Sequence, residues 1–324
     1  MIKDRLRAFP RIQLGSVPTP LHRAPRLSAA LGGPEIWFKR DDLTGFGLGG
    51  NKVRTLEYVI ADALEHGADT LVTGGRTFSN HVRITLAACN SLGLHGVGVL
   101  RRDPTTDHAN HFLDKLLGGS LVYPEVSDSD GLDAAMAQEA DARRQAGAKP
   151  YLIPRGGATA VGCLGYAVAS LELQQQLEAA DLTPRAVISA TGSGCTLAGL
   201  ALGAQVLRAT YVLYGITATR SADATRAQID RLVGEAATLL DLSDPGNPNV
   251  RLFDSYRGEG PGIPSPQGRE AIELVARTEG ILLDPVYSGK AMAGLVDLIR
   301  QGEFQSEDRV IFLHTGGLPS VFDL

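Results

Sequence analysis

"TGFGLGGNKVRTLEYV", residues 44–59, sets four glycines within positions 45–50 and follows them with a lysine. Either the glycines cradle a nucleotide phosphate or the stretch exists to present Lys52. A P-loop runs Gly, four residues, Gly, Lys, then Ser or Thr. Gly45 and Gly50 have that separation, but Asn51 stands where the lysine belongs. The stretch is therefore not a nucleotide loop. The residues after it have a helical period: Val53, Leu56, Ile60 and Ala63 recur on one face, and Gly67 stands as the C-terminal stop. This predicts a helix over Lys52–His66 with Asn51 as its N-cap. Lys52 then occupies the first turn, where the helix dipole disfavours an ammonium and lowers the lysine pKa.

Outward from this helix, strand-like apolar runs alternate with helical patterns, the signature of a parallel sheet flanked by helices. Strands are expected at Thr70–Thr73, Val97–Leu100, Leu121–Tyr123, Tyr151–Ile153, Ala186–Ala190, Val212–Thr217, Ile281–Leu283 and Val310–His314. The fold class is α/β, and 324 residues predict two closely associated domains. A net charge of −5 argues against nucleic acid or an anionic membrane as partner. No apolar run reaches the length of a membrane span, and "MIKDRLRAFP" lacks a signal-peptide core, so a cytoplasmic protein is expected. Cys89, Cys163 and Cys195 form no C-x-x-C pair. They are expected to be reduced, buried and structural, with no metal site.

Four Gly/Ser/Thr-rich turns collect the chemistry: "TGGRTFSNH" (73–81), "ATGSGCTLAG" (190–199), "DPVYSGKAM" (284–292) and "HTGG" (314–317). Each follows an expected strand, so all lie at the carboxyl ends of parallel strands, where ligands bind in the crevice. A helix start there presents free N–H groups to an anion. "TGSGCT" is the best phosphate site: Gly192 and Gly194 admit close approach, and Ser193 and Thr196 add hydroxyls. Leu197 replaces the third glycine of a dinucleotide fingerprint. The Pro/Gly-rich "RGEGPGIPSPQG" (257–268) reads as a functional loop. A lysine made neutral in a phosphate-binding crevice is what Schiff-base chemistry with pyridoxal phosphate requires. Taken singly, a plain tight turn and an exposed surface lysine remain open readings of these two features.

Six blocks occur in the order seen in the family of D-cysteine desulfhydrase and 1-aminocyclopropane-1-carboxylate deaminase, to which L-cysteate sulfo-lyase also belongs. They are "KRDDLTG…GGNKVRTLE", "SNHVRITLAA", "GGATAVGCLGY", "TGSGCTLAGL", "ARTEGILLDPVYSGKAMAGL" and "FLHTGG". The chain resembles that family from about Phe9 to its C-terminus. The resemblance implies pyridoxal-phosphate fold type II (tryptophan synthase β-like), with two open parallel-sheet domains and a homodimer. The larger cofactor domain would comprise residues 1–52 and 160–324. The smaller α/β domain, 53–159, would carry the substrate-binding turn, with the active site in the cleft.

It further implies pyridoxal 5'-phosphate as cofactor and a small amino acid as substrate. Lys52 would carry the cofactor and later move the α-proton. Asn80 would bond the pyridine 3-hydroxyl, Thr191, Gly192, Ser193, Gly194, Cys195 and Thr196 would wrap the phosphate, and Ser288 would face the pyridine nitrogen. Ser79 would contact the substrate carboxylate or relay a proton, and Tyr287 would lie near the reacting carbons as an acid or a steric guide. The alternatives for these two are a helix cap and a half-buried core tyrosine. Phe78, Ser79, His81, Thr159, Pro261 and Thr315 would line the substrate side.

The chain departs from the family where substrate is felt. Phe78 replaces the glutamine of "QSN", Pro261 replaces the tyrosine of "GYGIP", and "GGSN" becomes "GGAT" with Ala158 and Thr159. Arg76 replaces a small residue in the same turn as Ser79. The cyclopropane deaminases carry glutamate at the position of Ser288, which keeps the ring a strong electron sink. A serine hydroxyl is too weak an acid or base for that, which favours α,β-elimination of a good leaving group over ring opening. The expected activity is a lyase releasing ammonia and a 2-oxo acid. A β-replacement transferase and a cyclopropane deaminase are the alternatives. A silent cofactor-binding protein is disfavoured by the retention of Lys52, Ser79, Asn80 and Tyr287.

Overall fold

The computed structural model describes residues 2–102, 109–242 and 249–324. Its strands are β1 (Leu21–Arg23), β2 (Glu35–Lys39), β3 (Thr70–Arg76), β4 (His95–Arg101), β5 (Ser120–Val122), β6 (Pro150–Leu152), β7 (Ala186–Thr191), β8 (Val212–Thr217), β9 (Val250–Phe253) and β10 (Arg309–Leu313). The helices are α1 (Ile2–Ala8), α2 (Pro25–Leu31), α3 (Lys52–Glu65), α4 (Asn80–Leu92), α5 (Ala109–Leu116) and α6 (Ser129–Gln145). They continue with α7 (Ala160–Ala179), α8 (Cys195–Leu207), α9 (Ala222–Leu239), α10 (Pro266–Glu279) and α11 (Ser288–Arg300).

Two sheets form. One has six strands in the order β1-β2-β10-β7-β8-β9, parallel throughout except for antiparallel β1. The other has four parallel strands in the order β5-β4-β3-β6. The larger sheet is buried on both faces, as parallel sheets with helices on either side are. Val187, Leu213, Ile311 and Leu313 point into the core shared with α7, α8 and α9. Their neighbours Ile188, Tyr214, Phe38 and Phe312 point into the core under α10 and α11. Helix α3 packs Val53, Leu56, Ile60 and Ala63 onto the smaller sheet's core, as the sequence periodicity requires. Gly67 follows at φ +71, the left-handed conformation that ends the helix.

Seven of the eight expected strands are present, and β1, β2 and β9 are additions. The exception is Ile281–Leu283. Ile281 and Leu283 are buried and Leu282 is exposed, a strand-like alternation, but the segment joins no ladder. Strand β10 already has β2 and β7 on its two sides. The backbone of the segment finds other partners: Leu282 O accepts from His314 Nε2 at 2.9 Å, and the Asp284 N–H donates to Ser288 Oγ at 2.8 Å.

The glycine run has a packing role. A Cβ at Gly50 (φ +116) would lie 2.9 Å from Thr315 O, and one at Gly316 (φ +95) would lie 2.6 Å from Gly50 Cα. The two glycine-rich turns thus touch backbone to backbone, which fixes the start of α3 against the end of β10. Behind that junction sits a buried ionic cluster. Arg54 donates to both Asp41 oxygens at 2.9 Å and to Glu172 at 2.8 and 2.9 Å. Tyr166 Oη donates to Asp41 at 2.6 Å, and the Lys39 ammonium bonds Glu172, Gln176 and Thr19 O. Every charge there has a partner, which a buried charge requires.

Candidate active site

A cavity of about 230 Å³ opens between the two sheets, where the carboxyl ends of β3, β4, β7 and β8 meet the turns that begin α3, α4 and α8. Lys52 lies on its wall at the first position of α3. Its Nζ donates to Gly156 O at 2.9 Å. Burial lowers the Lys52 pKa, while the nearby thiols of Cys195 and Cys163 pull the other way. Desolvation is thus the dominant cause, beyond the helix start alone. Asn51 does not cap α3 with its side chain. Its Nδ2 donates instead to Thr196 Oγ1 at 2.9 Å, tying the start of α3 to the first turn of α8.

The loop Thr191–Thr196 curls around the opposite end of the cavity. Gly194 takes φ +84 immediately before α8, and a Cβ at Gly192 would come 3.1 Å from the Tyr287 ring. Thr191 Oγ1 is buried with no hydrogen-bond partner among the described residues. Cys195 does not line the cavity: its thiol faces Gly157 O at 3.3 Å and Cys163 Sγ at 3.8 Å. Its backbone N–H sits in the first turn of α8, where helix donors lack intrahelical acceptors.

On the facing wall, Ser79 is the N-cap of α4 and its Oγ accepts from the Val82 N–H at 3.3 Å. It caps the helix and lines the cavity at once. Asn80 lies beside it, and its Oδ1 accepts from Arg83 at 2.6 Å and Asn110 at 3.1 Å. With the oxygen so engaged, the amide's two N–H donors are what remain for a ligand. His81 is buried, and its Nε2 meets Thr73 Oγ1 at 3.0 Å. Thr73 donates its own proton to Ile153 O at 2.9 Å, so it accepts from a protonated Nε2. His81 Nδ1 is left as a lone pair with no partner among the described residues, and burial, then the charge of Lys52, hold the imidazole neutral.

Tyr287, Pro261 and Thr315 also line the cavity. Burial, reinforced by Asp284, pushes the Tyr287 phenol up to about 12, so it is a proton holder at neutral pH. Phe78 and Arg76 stack at 5.9 Å, and Arg76 Nη1 donates to Pro261 O at 3.3 Å, bringing the loop over 257–268 onto this wall. Besides Cys195, two expected site residues are placed differently. Thr159 lies off the cavity, its Oγ1 accepting from the Gly162 N–H at 3.0 Å as the cap of α7. Ser288 is buried behind Asp284, to whose carboxylate its hydroxyl donates, and Asp284 takes the place on the wall. Arg101, Arg155 and Arg220 also line the cavity, and none of them is expected there from the sequence motifs. Their signal was available: each is a charged residue just beyond an apolar strand in a parallel sheet.

The sequence profile of the family described as "Pyridoxal-phosphate dependent enzyme" matches residues 12–316. The D-cysteine desulfhydrase of Yersinia pestis (strain Pestoides F) is 43% identical over 328 residues, covering 99% of this chain and 98% of that one. A crystal structure described as an ACC deaminase homologue superposes with a TM-score of 0.91 at 38% identity, over 98% of this chain and 95% of that one. A fungal L-serine ammonia-lyase from Rhizomucor miehei shares the fold, with a TM-score of 0.68 at 21% identity over 94% of each chain.

Proposed function

The chain belongs to the pyridoxal-phosphate-dependent enzyme family, and on that premise we propose that it is a lyase acting on a small amino acid by α,β-elimination, in the manner of a D-cysteine desulfhydrase. The observation that carries this reading is Lys52, an amine of lowered pKa held in one cavity with a glycine-rich anion cradle. Pyridoxal 5'-phosphate fits the residues present. Thr191 Oγ1 lacks a partner among the described residues, Gly192 and Gly194 keep side chains out of the cradle, and the first turn of α8 offers N–H donors. Bound there, the group supplies a sink for the electrons left when Cα loses its proton.

The chain's own groups do the rest. Thr191–Thr196 would hold the phosphate, Lys52 Nζ would hold the group covalently until the substrate's amino group displaces it and frees the amine, and the Asn80 amide would donate to the 3-oxygen. Ser79 Oγ and the start of α4 receive the α-carboxylate, with Phe78, His81, Pro261 and Thr315 around the rest of the substrate. Lys52 takes the proton from Cα, the β-substituent departs with its bonding pair, and Tyr287, protonated at neutral pH, supplies a proton to it. Water then replaces the nitrogen, giving a 2-oxo acid and ammonia. Ser288, whose hydroxyl donates to the Asp284 carboxylate and accepts from the Asp284 N–H, would act on the ring nitrogen only by way of Asp284, the residue on the wall.

The same reading divides the chain into a cofactor domain, 1–52 with 160–324, and a smaller domain, 53–159. The six- and four-stranded sheets support it. A homodimer is supported by exposed Phe112 and Leu116 on α5 and Phe322 near the C-terminus, since α5 packs beside the Leu318–Asp323 turn. A cytoplasmic location is supported by three free cysteines, with Cys163 and Cys195 in contact yet unlinked.

The test is product analysis on holoenzyme given D- and L-cysteine and D- and L-β-chloroalanine. Pyruvate and ammonia are expected in equal amounts from one configuration. If an added thiol diverts the product to a new amino acid at the expense of pyruvate, the protein is a β-replacement transferase. Faster 2-oxobutyrate release from 1-aminocyclopropane-1-carboxylate would equally overturn the elimination reading.

A further inference from the structure

Asn80 offers N–H donors to the cavity only while its oxygen stays turned away, and two side chains outside the cavity hold it so. Asn80 Oδ1 accepts from Arg83 Nη1 at 2.6 Å and from Asn110 Nδ2 at 3.1 Å. A flipped amide would set its own N–H groups against those two donors, so the pair selects one orientation. Arg83 and Asn110 do not line the cavity, and both are buried, at 1% and 0% exposure. They also bond each other, Arg83 Nη1 donating to Asn110 Oδ1.

The pair reaches the rest of the site's frame as well. Arg83 Nε donates to Gly47 O at 2.9 Å and Nη2 to Gly49 O at 3.2 Å, within the glycine turn that leads into Lys52. That turn lies against α4: a Cβ at Gly47 would come 3.1 Å from Ile84 Cδ1 and 3.3 Å from Ala87 Cβ. Asn110 Nδ2 donates to Phe78 O at 3.0 Å, just before Asn80, and to Ser320 Oγ at 3.2 Å in the turn Leu318–Asp323. Asn110 is itself fixed at the start of α5, where the Ala109 N–H donates to Asp323 Oδ1 at 2.9 Å. One planar guanidinium thus spans the turn before Lys52 and the amide of Asn80, which suits the fixed fork of an arginine and not the point charge of a lysine. An amide oxygen that accepts from a cation is polarised, and its N–H groups become better donors.

We propose that Arg83 and Asn110 are positioning residues that turn the Asn80 N–H groups toward the cavity and strengthen them for an anionic oxygen. Cofactor affinity then depends on two side chains that lie outside the cavity. The proposal rests on the reading that Asn80 donates to the 3-oxygen of pyridoxal phosphate.

The test is a double-mutant cycle read in cofactor binding, which needs no substrate. Cofactor-free wild type, Asn110→Asp, Asn80→Ala and the double variant are titrated with pyridoxal 5'-phosphate, and dissociation constants are taken from the absorbance of the bound group. Asn110→Asp keeps the size of the side chain and its bond from Arg83. It removes one donor to Asn80 Oδ1 and gives Asn80 Nδ2 a carboxylate that competes with the cavity. It is expected to raise the dissociation constant at least about tenfold, as is Asn80→Ala, with the double variant within about threefold of Asn80→Ala alone. The absorbance maximum should move from the wild-type position to a common one in all three variants. Arg83→Lys should behave as Asn110→Asp does. Asn110→Ala, which adds no charge, should show a smaller loss that likewise vanishes in the Asn80→Ala background.

Losses that multiply in the double variant, or a lower melting temperature of the cofactor-free protein with affinity unchanged, make the pair a clamp of the fold and overturn the proposal. If Asn80→Ala binds the cofactor as the wild type does, the contact to the 3-oxygen is wrong and the proposal falls with it. If Asn80→Ala is weakened while Asn110→Asp, Asn110→Ala and Arg83→Lys are not, only the positioning role is overturned.

Discussion

The two walls of the cavity are made of different material. The cradle after β7 is backbone and small hydroxyls, Thr191 to Thr196, shaped by glycines that leave no room for a side chain. The wall after β3, β4 and β6 is large side chains: Arg76, Phe78, Arg101 and Arg155. A phosphate is met by the geometry of the main chain, so that wall can change little without changing the fold. A substrate side chain is met by other side chains, which can be exchanged while the turn keeps its shape. At "TGGRTFSNH" the turn is held by the Ser79 cap and by Gly75, where a Cβ would lie 2.7 Å from Ser79 Oγ. Neither constraint involves residue 76 or 78.

The largest effect expected is on the element both walls share. Lys52→Ala should reduce turnover to background while the melting temperature matches that of the cofactor-free wild type. Borohydride reduction of the wild type should fix the cofactor onto the peptide containing Lys52. Label on Lys39 or Lys290, or a variant that no longer folds, would make Lys52 a structural residue. Next comes the side-chain wall. Phe78→Gln with Pro261→Tyr should raise kcat/KM on unsubstituted D-cysteine or on 1-aminocyclopropane-1-carboxylate by roughly one to two decades, the cost of an unpartnered polar group being about 1–3 kcal/mol. A wild type already efficient on both, with no gain in the double variant, would show the two walls to be equally conserved in function.

The smallest effect concerns what supports the side-chain wall. Asp114 on α5 is fully buried, neither oxygen has a hydrogen-bond partner among the described residues, and burial raises its pKa to about 8 despite Arg83. The carboxyl is protonated in the fold at neutral pH and ionised in the unfolded chain. The native state therefore binds more protons between about pH 4 and about pH 8, and stability falls as pH rises through that window. Asp114→Asn should flatten this decline and melt several degrees above the wild type at pH 9. Since Arg83 also bonds Asn80, a flat profile in the wild type would mean that the wall is supported without this titration.

Legibility in the sequence followed the same division. The strands with continuous apolar runs were evident, because burial on both faces writes itself as Val, Ile and Leu. Strand β2, "EIWFK", is bracketed by charges and hides its pattern, and β1 is three residues beside prolines. Ile281–Leu283 has a strand's alternation without a place in a sheet, since ladder positions depend on strands far away in sequence. Lys52, Ser79 and the cradle were legible because turn chemistry is local. The roles of Asn51 and Ser288 were not, because Thr196 and Asp284 compete for their side chains only once the fold brings them together. Arg101, Arg155 and Arg220 left a local signal, a charge at or just beyond an apolar strand, but their convergence is a property of strand order, which no single turn displays.

Strand β10 lies between β2 and β7 in the larger sheet. During synthesis, residues 35–39 and 186–191 therefore wait for residues 309–313 before that sheet can close. The smaller sheet, by contrast, draws all its strands from residues 70–152 and can assemble as soon as they emerge. Arg54 likewise waits for Glu172, 118 positions later. The sheet behind the side-chain wall can thus form while the larger sheet behind the glycine cradle is still two separated pieces. The cavity between them, and with it any retained cofactor, becomes possible only once residues 309–313 have emerged.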